Sequence, residues 1–423
     1  MVLKVRDPRN EMVWFRHKND NKIIKFLTLF FIIFFFLYFV FQGLNTSPTE
    51  TDSIKLHIPV AEKILDGTIY NPKTFTSNLF YYPWIVEYVL AGFILLKIPL
   101  NLYNVFASGF LFLIIWRLTH HLTKDNFSFL LAISICYLPV ISRWLNTQKN
   151  DIWAIFFYMS AIYILEKGLS NRIAYLLLGI ALGIVAGAKF FGWLFVLPIL
   201  VIYYKTFINK RKITSLLLTF SALIVIGGSW LIRAYITTGN PIHPFNSKIL
   251  SGSSDVFFSY SLLKYILFFK NGLFIFAEVL FSEYLFWILT IFILPLILFK
   301  KQLLSEIKNW SLAIKRIILL GFINLLLFIL FPTWTDNVIS SMRYGYYAFI
   351  PLIIGCFWLL IKYKNDFWAY LLPLFTIAIA LTNFDFRPKI ALVALFVVFA
   401  LMRSLDSSAD SADPLRMTKK SLF

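Results

Sequence analysis

The sequence predicts an all-α, polytopic membrane protein with about 12 transmembrane helices, and three observations carry that reading. Of 423 residues, 59% are hydrophobic and 14% charged, where a soluble chain carries roughly a quarter charged. The mean hydropathy is +0.76. Apolar runs recur along nearly the whole length, and in lipid only helices or closed barrels satisfy every backbone polar group. The net charge of +19 suggests nucleic acid in a soluble protein. Here Lys and Arg mark cytoplasmic loops and anionic headgroup contacts, so membrane lipids are the expected partners and nucleic acid is not. Cys136 and Cys356 fall in apolar runs and make no disulfide framework.

The first element is a retained signal anchor. Lys4, Arg6, Arg9, Arg16, Lys18, Lys22 and Lys25 precede the run Phe26 to Val40, which places the N-terminus inside and a first span at about 24–42. The loop 43–81 is then external. Within it Ile54, Ile58, Ala61, Ile64 and Leu65 form a stripe at helical spacing, opposite Lys55, Glu62, Lys63 and Asp66. Such a helix lies at the interface, and Gly67 ends it. The run 83–98 is short enough either to cross or to lie flat. If flat, Arg117, Lys124, Lys167, Arg172, Lys205, Lys210, Arg211 and Lys212 fall inside, which is the arrangement the positive-inside rule prefers.

The remaining spans fall at about 100–117, 127–142, 152–166, 173–188, 190–204, 213–232, 283–299, 316–331, 346–361, 367–382 and 389–402, with both termini inside. Residues 256–281 read as an interfacial helix pair. One membrane domain, 1–403, does the work, and 404–423 reads as a disordered cytosolic tail.

Ionisable residues are sparse inside the second-half spans and collect at their outer ends, whereas pumps and ion-coupled carriers place them within the bundle. That distribution favours an interfacial site in the cell membrane, on its external or periplasmic face. Asp52, ahead of His57-Ile58-Pro59, either caps a helix or acts as a base. Glu87 is an isolated carboxylate in an apolar helix, which marks function by default. Asp151 closes the polar loop that starts at Arg143, and is either a helix cap or a site residue. Lys189 in the turn Gly187-Ala-Lys-Phe-Phe-Gly192 either snorkels to headgroups or meets a phosphate. Arg233 leads into Gly239-Asn-Pro-Ile-His243-Pro-Phe245, where two prolines stiffen the loop around His243. Arg343 with Tyr344 suits an aromatic belt and equally a phosphate clamp.

Asp52 … His57-x-Pro59 … Gly67-x-x-Tyr70 … Tyr82-Pro83 resembles the first external loop of the GT-C superfamily, integral-membrane glycosyltransferases that use polyprenyl-phosphate sugars. Asp151, Gly187 with Lys189, Gly239-Asn-Pro-x-x-Pro-Phe245 and Arg343-Tyr344 are similar to its later motifs, in the same order over about residues 40–350. The resemblance implies sugar transfer to a glycan, lipid or protein acceptor, with Asp52 as general base. It also implies two interfacial helices in the first loop, which leaves 83–98 uncrossed. Donor and acceptor contacts would involve His57, Glu87, Asp151, Lys189, Arg233, His243, Arg343 and Tyr344. In some relatives an acid of the second interfacial helix and a later His hold a divalent metal, and Glu87 and His243 are the nearest positions here. The alternatives are a lipid-linked oligosaccharide flippase or carrier, which needs a polar central cavity, and an O-antigen-type polymerase, which relies on Arg-bearing outer loops.

Overall fold

The computed structural model describes residues 20–71, 74, 78–125, 128–207, 213–243, 261–292, 307–330, 338–363 and 366–382, and among these every regular element is helical. Five segments are long and apolar enough to cross a membrane: Thr28–Asn45, Leu100–Thr123, Ile213–Thr238, Leu312–Leu330 and Met342–Lys362. The chain is therefore a helical membrane protein, and its outward side chains agree with that. Phe30, Ile33, Leu37 and Phe41 are exposed along the first span, as are Leu217, Ile224, Val225 and Ile232 along the third. Bare apolar stripes of this length suit lipid and not water.

Twelve crossings are not established. Apolar helices at Ser128–Tyr137, Arg172–Ala188, Gly192–Ile202 and Trp368–Leu381 occupy expected spans but are shorter than the ~20 residues a bilayer asks for. Proline accounts for one shortening. Leu138 leaves the helical region (φ −52°, ψ 133°) and Pro139 begins a new turn, as the restriction on a residue before proline demands. Of the expected span at 283–299, residues 283–292 are described: Glu283 and Tyr284 end the helix Gly272–Tyr284, and a short helix follows at Trp287–Phe292. The run 389–402 and the tail 404–423 lie outside the described residues.

In chain order the helices that frame the site are α1 (Asp20–Asn45), α2 (Ile58–Leu65), α3 (Glu87–Leu95), α4 (Tyr103–Thr123), α5 (Ser128–Tyr137), α6 (Pro139–Ser142), α7 (Asp151–Lys167), α8 (Arg172–Ala188), α9 (Gly192–Ile202) and α10 (Ile213–Thr238). They are followed by α11 (Leu262–Phe268), α12 (Gly272–Tyr284), α13 (Leu312–Leu330) and α14 (Tyr346–Lys362). Their turns gather at two ends. At one, Asn101 Nδ2 donates to the Thr46 carbonyl at 3.0 Å and Asn150 Nδ2 to that of Ala188 at 2.8 Å. At the other, the Tyr203 hydroxyl donates to Glu166 at 2.5 Å and Trp310 Nε1 to the Tyr363 hydroxyl at 3.4 Å.

Two features fix the first loop onto the first of these ends. Gly179, Gly183 and Gly187 recur every fourth residue on α8, and a Cβ at Gly179 would lie 2.4 Å from the Thr219 carbonyl oxygen of α10. Small residues at this spacing let two backbones touch, which is how helices associate where lipid offers no hydrophobic drive. The third glycine of the row receives the loop. A Cβ there would stand 2.5 Å from Ile85 Cγ1, and the Ile85 N–H donates to the Gly187 carbonyl at 3.3 Å.

Segment 83–98 contains α3, nine residues long. Nine residues rise ~14 Å, under half of a ~30 Å hydrocarbon core, so this helix does not cross. The amphipathic segment before it forms as the stripe predicts: a π turn, Ser53–His57, runs into α2. Gly67 follows at φ 75°, a left-handed position that a side chain resists. The pair α11 and α12 falls where an interfacial pair is expected, and the Tyr284 hydroxyl anchors it to the Met342 carbonyl at 2.9 Å.

Tyr70 is 63% exposed at the end that carries the first loop, and Ser170 is exposed at the opposite end. If the first-loop end faces outside, as the charge pattern of the sequence leads one to expect, an impermeant thiol reagent applied to intact cells labels Tyr70→Cys and spares Ser170→Cys until the cells are opened. Labelling of both without opening would break the two-ended arrangement.

Candidate active site

The polar loop between α6 and α7 organises this end of the molecule. Its residues 147–151 are all buried, an arrangement that costs free energy unless each polar group finds a partner. Asn104 on α4 pins the loop backbone, donating to the carbonyls of Trp144 and Lys149 at 3.1 and 2.7 Å. Successive side chains then reach different elements. Gln148 Nε2 donates to Asn101 at 2.8 Å, and the Gln148 N–H donates to Ser53 Oγ at 3.0 Å. Lys149 Nζ meets Glu50 at 3.1 Å and Asp52 at 2.9 Å, and sits 4.3 Å from the Trp144 ring centre. Asn150 Nδ2 also approaches Glu87 Oε1 at 3.3 Å. Asp151 pairs with Lys189 at 3.2 Å and Arg343 at 3.6 Å.

The two readings of Asp52 separate here. It lies in helical backbone (φ −67°, ψ −34°) and its side chain makes no cap hydrogen bond. Glu50 does that work, accepting from the Ser53 N–H at 2.7 Å and from the Ser53 hydroxyl at 2.9 Å. Burial alone raises the Asp52 carboxyl, yet the Lys149 ammonium, by charge and hydrogen bond, holds it below its ordinary value, with Arg343 and His57 adding to the effect. Glu50 is lowered against its own burial by the same ammonium and the Ser53 N–H. Asp52 is thus a carboxylate at neutral pH. Asp151 is no cap either: its oxygens face two cations, and Asn150 occupies the cap position, its side chain making no cap bond.

A cavity of about 220 Å³ opens beside these groups, lined among others by Asp52, His57, Glu87, Lys189, Arg343 and Tyr344. His57 Nδ1 and Glu87 Oε1 are 2.7 Å apart and buried, which joins α2 to α3 across the loop. Arg343 donates to the Tyr344 hydroxyl at 3.3 Å. Several polar atoms of the lining lack a hydrogen-bond partner among the described residues: Glu87 Oε2, Arg343 Nε, Trp84 Nε1 and the Tyr82 hydroxyl. Buried groups of this kind are costly unless something satisfies them, and the lining sets two carboxylates, Asp52 and Glu87, beside two cations, Lys189 and Arg343.

Two expected residues are elsewhere. Arg233 does not line the cavity. Its Nη2 donates to the carbonyls of Phe80 and Tyr82 at 2.8 and 3.1 Å, and its guanidinium lies 4.8 Å from the Trp84 ring centre. It clamps the loop wall from behind, one terminal nitrogen serving both carbonyls. His243 packs edge-on against Tyr81, ring centres 4.7 Å apart, also outside the lining. Pro244 and Phe245 lie outside the described residues. Glu87 and His243 are therefore not brought together as metal ligands, since Glu87 binds His57 instead. Among the described residues no group of three or more His, Cys, Asp or Glu has metal-binding proximity.

Lys149 is the residue sequence reading missed, together with Gln148 and Asn150. A polar run of six between two apolar helices, Asn-Thr-Gln-Lys-Asn-Asp, was the available signal. Compared with protein-family models, curated proteins and solved structures, the chain shows no match.

The buried His57–Glu87 pair makes a stability test. Removing one partner of such a pair costs about 3–5 kcal/mol, against at most about 1 kcal/mol for an exposed carboxylate. Glu87→Leu should lower the thermal midpoint of purified protein by several degrees while exposed Glu62→Gln leaves it nearly unchanged. Equal midpoints for the two variants would remove the pair from the scaffold.

Proposed function

We propose that this chain is a membrane glycosyltransferase of GT-C type, moving a sugar from a polyprenyl-phosphate donor to an acceptor hydroxyl at the outer face. The observation that carries the reading is one cavity at the end of an apolar bundle, lined by the carboxylate Asp52 and the cations Lys189 and Arg343. Sugar transfer from a phosphate needs those two kinds of group. Asp52 takes the acceptor hydroxyl proton as the oxygen attacks the anomeric carbon. The carbon–oxygen bond to phosphate breaks, its electrons leave on the phosphate, and Arg343 and Lys189 stabilise the charge that grows there. Phosphate leaves readily, so a second acid is not required for departure.

The distribution of charge supports the enzyme over the carrier. Among the described residues, every buried charged or His side chain (His57, Glu87, Lys149, Asp151, Arg233, Glu283 and Arg343) belongs to the end with the cavity. A carrier would place such groups along a central path. We place the opposite end, which carries Lys124, Lys167, Arg172, Lys205, Lys315, Arg316 and Lys362, in the cytoplasm because the positive-inside rule applied to the loops of the whole sequence prefers that side, and the cavity then opens to the outer face.

Asp52→Asn keeps the shape of the side chain and removes its basicity. General-base catalysis is worth roughly a hundred- to ten-thousand-fold. Transfer of radiolabelled sugar from a polyprenyl-phosphate donor, assayed with a panel of acceptors, should fall by that amount, with expression unchanged. Glu50→Gln should show a smaller defect. Turnover of Asp52→Asn within about threefold of the parent would sink the reading.

Arg343→Lys tests the donor side. It keeps a charge and loses the bidentate fork, and one charged hydrogen bond is worth roughly 1.5–3 kcal/mol. Apparent donor affinity should weaken about ten- to a hundred-fold in a protein that still folds. An unchanged donor affinity would return Arg343 to packing among the tyrosines.

A further inference from the structure

The Lys149 side chain is 4% exposed and its ammonium touches two carboxylates of unequal exposure, Glu50 at 22% and Asp52 at 51%. A single acid would have sufficed to neutralise it. The second has a physical consequence. Pulling the sole counter-ion away from a buried ammonium leaves an unpaired charge in a poorly solvated place, which is strongly unfavourable. With two acids, one stays while the other moves.

The partners of each acid decide which one stays. Glu50 is tethered: one oxygen holds Lys149 and the other accepts both the N–H and the hydroxyl of Ser53. That hydroxyl in turn accepts from the Gln148 N–H, next to Lys149 in the chain. Asp52 is the more exposed, lines the cavity and makes no cap bond. The Lys149 ammonium also sits over the Trp144 ring, and the loop backbone is pinned by Asn104, so the ammonium does not follow.

We propose that Lys149 and Glu50 are positioning residues, a fixed ammonium with a resident counter-ion that keeps Asp52 charged and aimed while leaving it free to turn to the acceptor hydroxyl. This rests on the reading of Asp52 as the base. Lys149, Arg343 across the cavity and His57 of the next turn act on Asp52, and Glu50 and Asp52 repel one another across the ammonium they share. Loss of the ammonium and loss of the resident acid therefore act on Asp52 with opposite sign. Lys149→Met removes a positive neighbour and makes Asp52 easier to protonate. Glu50→Gln removes a negative one, hands the ammonium wholly to Asp52, and makes it harder to protonate.

The test needs no turnover. A water-soluble carbodiimide with an amine modifies protonated carboxyls, and fragment masses of the digested protein report Asp52 separately from Glu50. Across a pH series on the purified full chain, Lys149→Met should raise the midpoint of Asp52 modification by about one pH unit or more. Glu50→Gln should lower it, and Lys149→Arg should leave it near the parent. Should Lys149→Met fail to fold, the downward shift in Glu50→Gln still decides the sign. The acidic limb of sugar transfer should move with the midpoint in each variant. Midpoints that stay put, that move the same way in both variants, or that move without the acidic limb following would overturn the proposal. Near-parental turnover of Asp52→Asn is a separate result, which removes the base reading while the midpoints remain informative about the ion triad.

Discussion

The structure depends on one constraint: five consecutive polar residues, 147–151, buried between two apolar helices. Buried polar groups have to be paired, and neighbours in sequence point in different directions, so the loop is obliged to recruit partners from all sides. Ser53 and the acid pair come from the first loop, Asn101 and Asn104 from the start of α4, Glu87 from α3, Lys189 from the turn after α8, and Arg343 from the turn before α14. Removing that loop would leave the surrounding charges without the opposite charges that make their burial tolerable.

This obligation also explains why the site is at an end of the bundle. The helices pack through small residues and aliphatic side chains, as in the Gly179–Gly183–Gly187 row against α10. Such surfaces offer ions no partners. Connections at the membrane surface carry free backbone groups, prolines that release carbonyls, and access to water, and that is where ionised side chains are accommodated. Arg233 illustrates it: on a lipid-crossing helix it reaches the connection at Phe80 and Tyr82 and its Nη2 donates to two carbonyls there.

The charge pattern then ties packing to chemistry. A fixed ammonium holds the Asp52 carboxylate ionised. A guanidinium and a second ammonium, Arg343 and Lys189, face the same cavity and are paired with the buried Asp151. Both rest on groups whose positions are set by backbone hydrogen bonds and helix starts, which is the rigidity a site of this kind needs.

By itself the sequence determined the class of the protein and most of the site's members. Apolar runs admit helices in lipid, the stripe Ile54 to Leu65 gives an amphipathic helix, and an acid or arginine at a span end is conspicuous against a hydrophobic background. Asp52, His57, Glu87, Asp151, Lys189, Arg343 and Tyr344 were all legible in that way, and they line or adjoin one cavity. Tertiary structure decided the pairings. That Glu50 and not Asp52 caps the first turn follows from where Ser53 points. That Glu87 binds His57 instead of His243 follows from how α3 docks, and that Lys149 is the centre of an ion triad follows from a loop whose course no periodicity reports. Helical and apolar patterns are local, so a chain displays them along its length. Which charges meet depends on contacts between residues about 100 positions apart, and those exist only once the helices have packed.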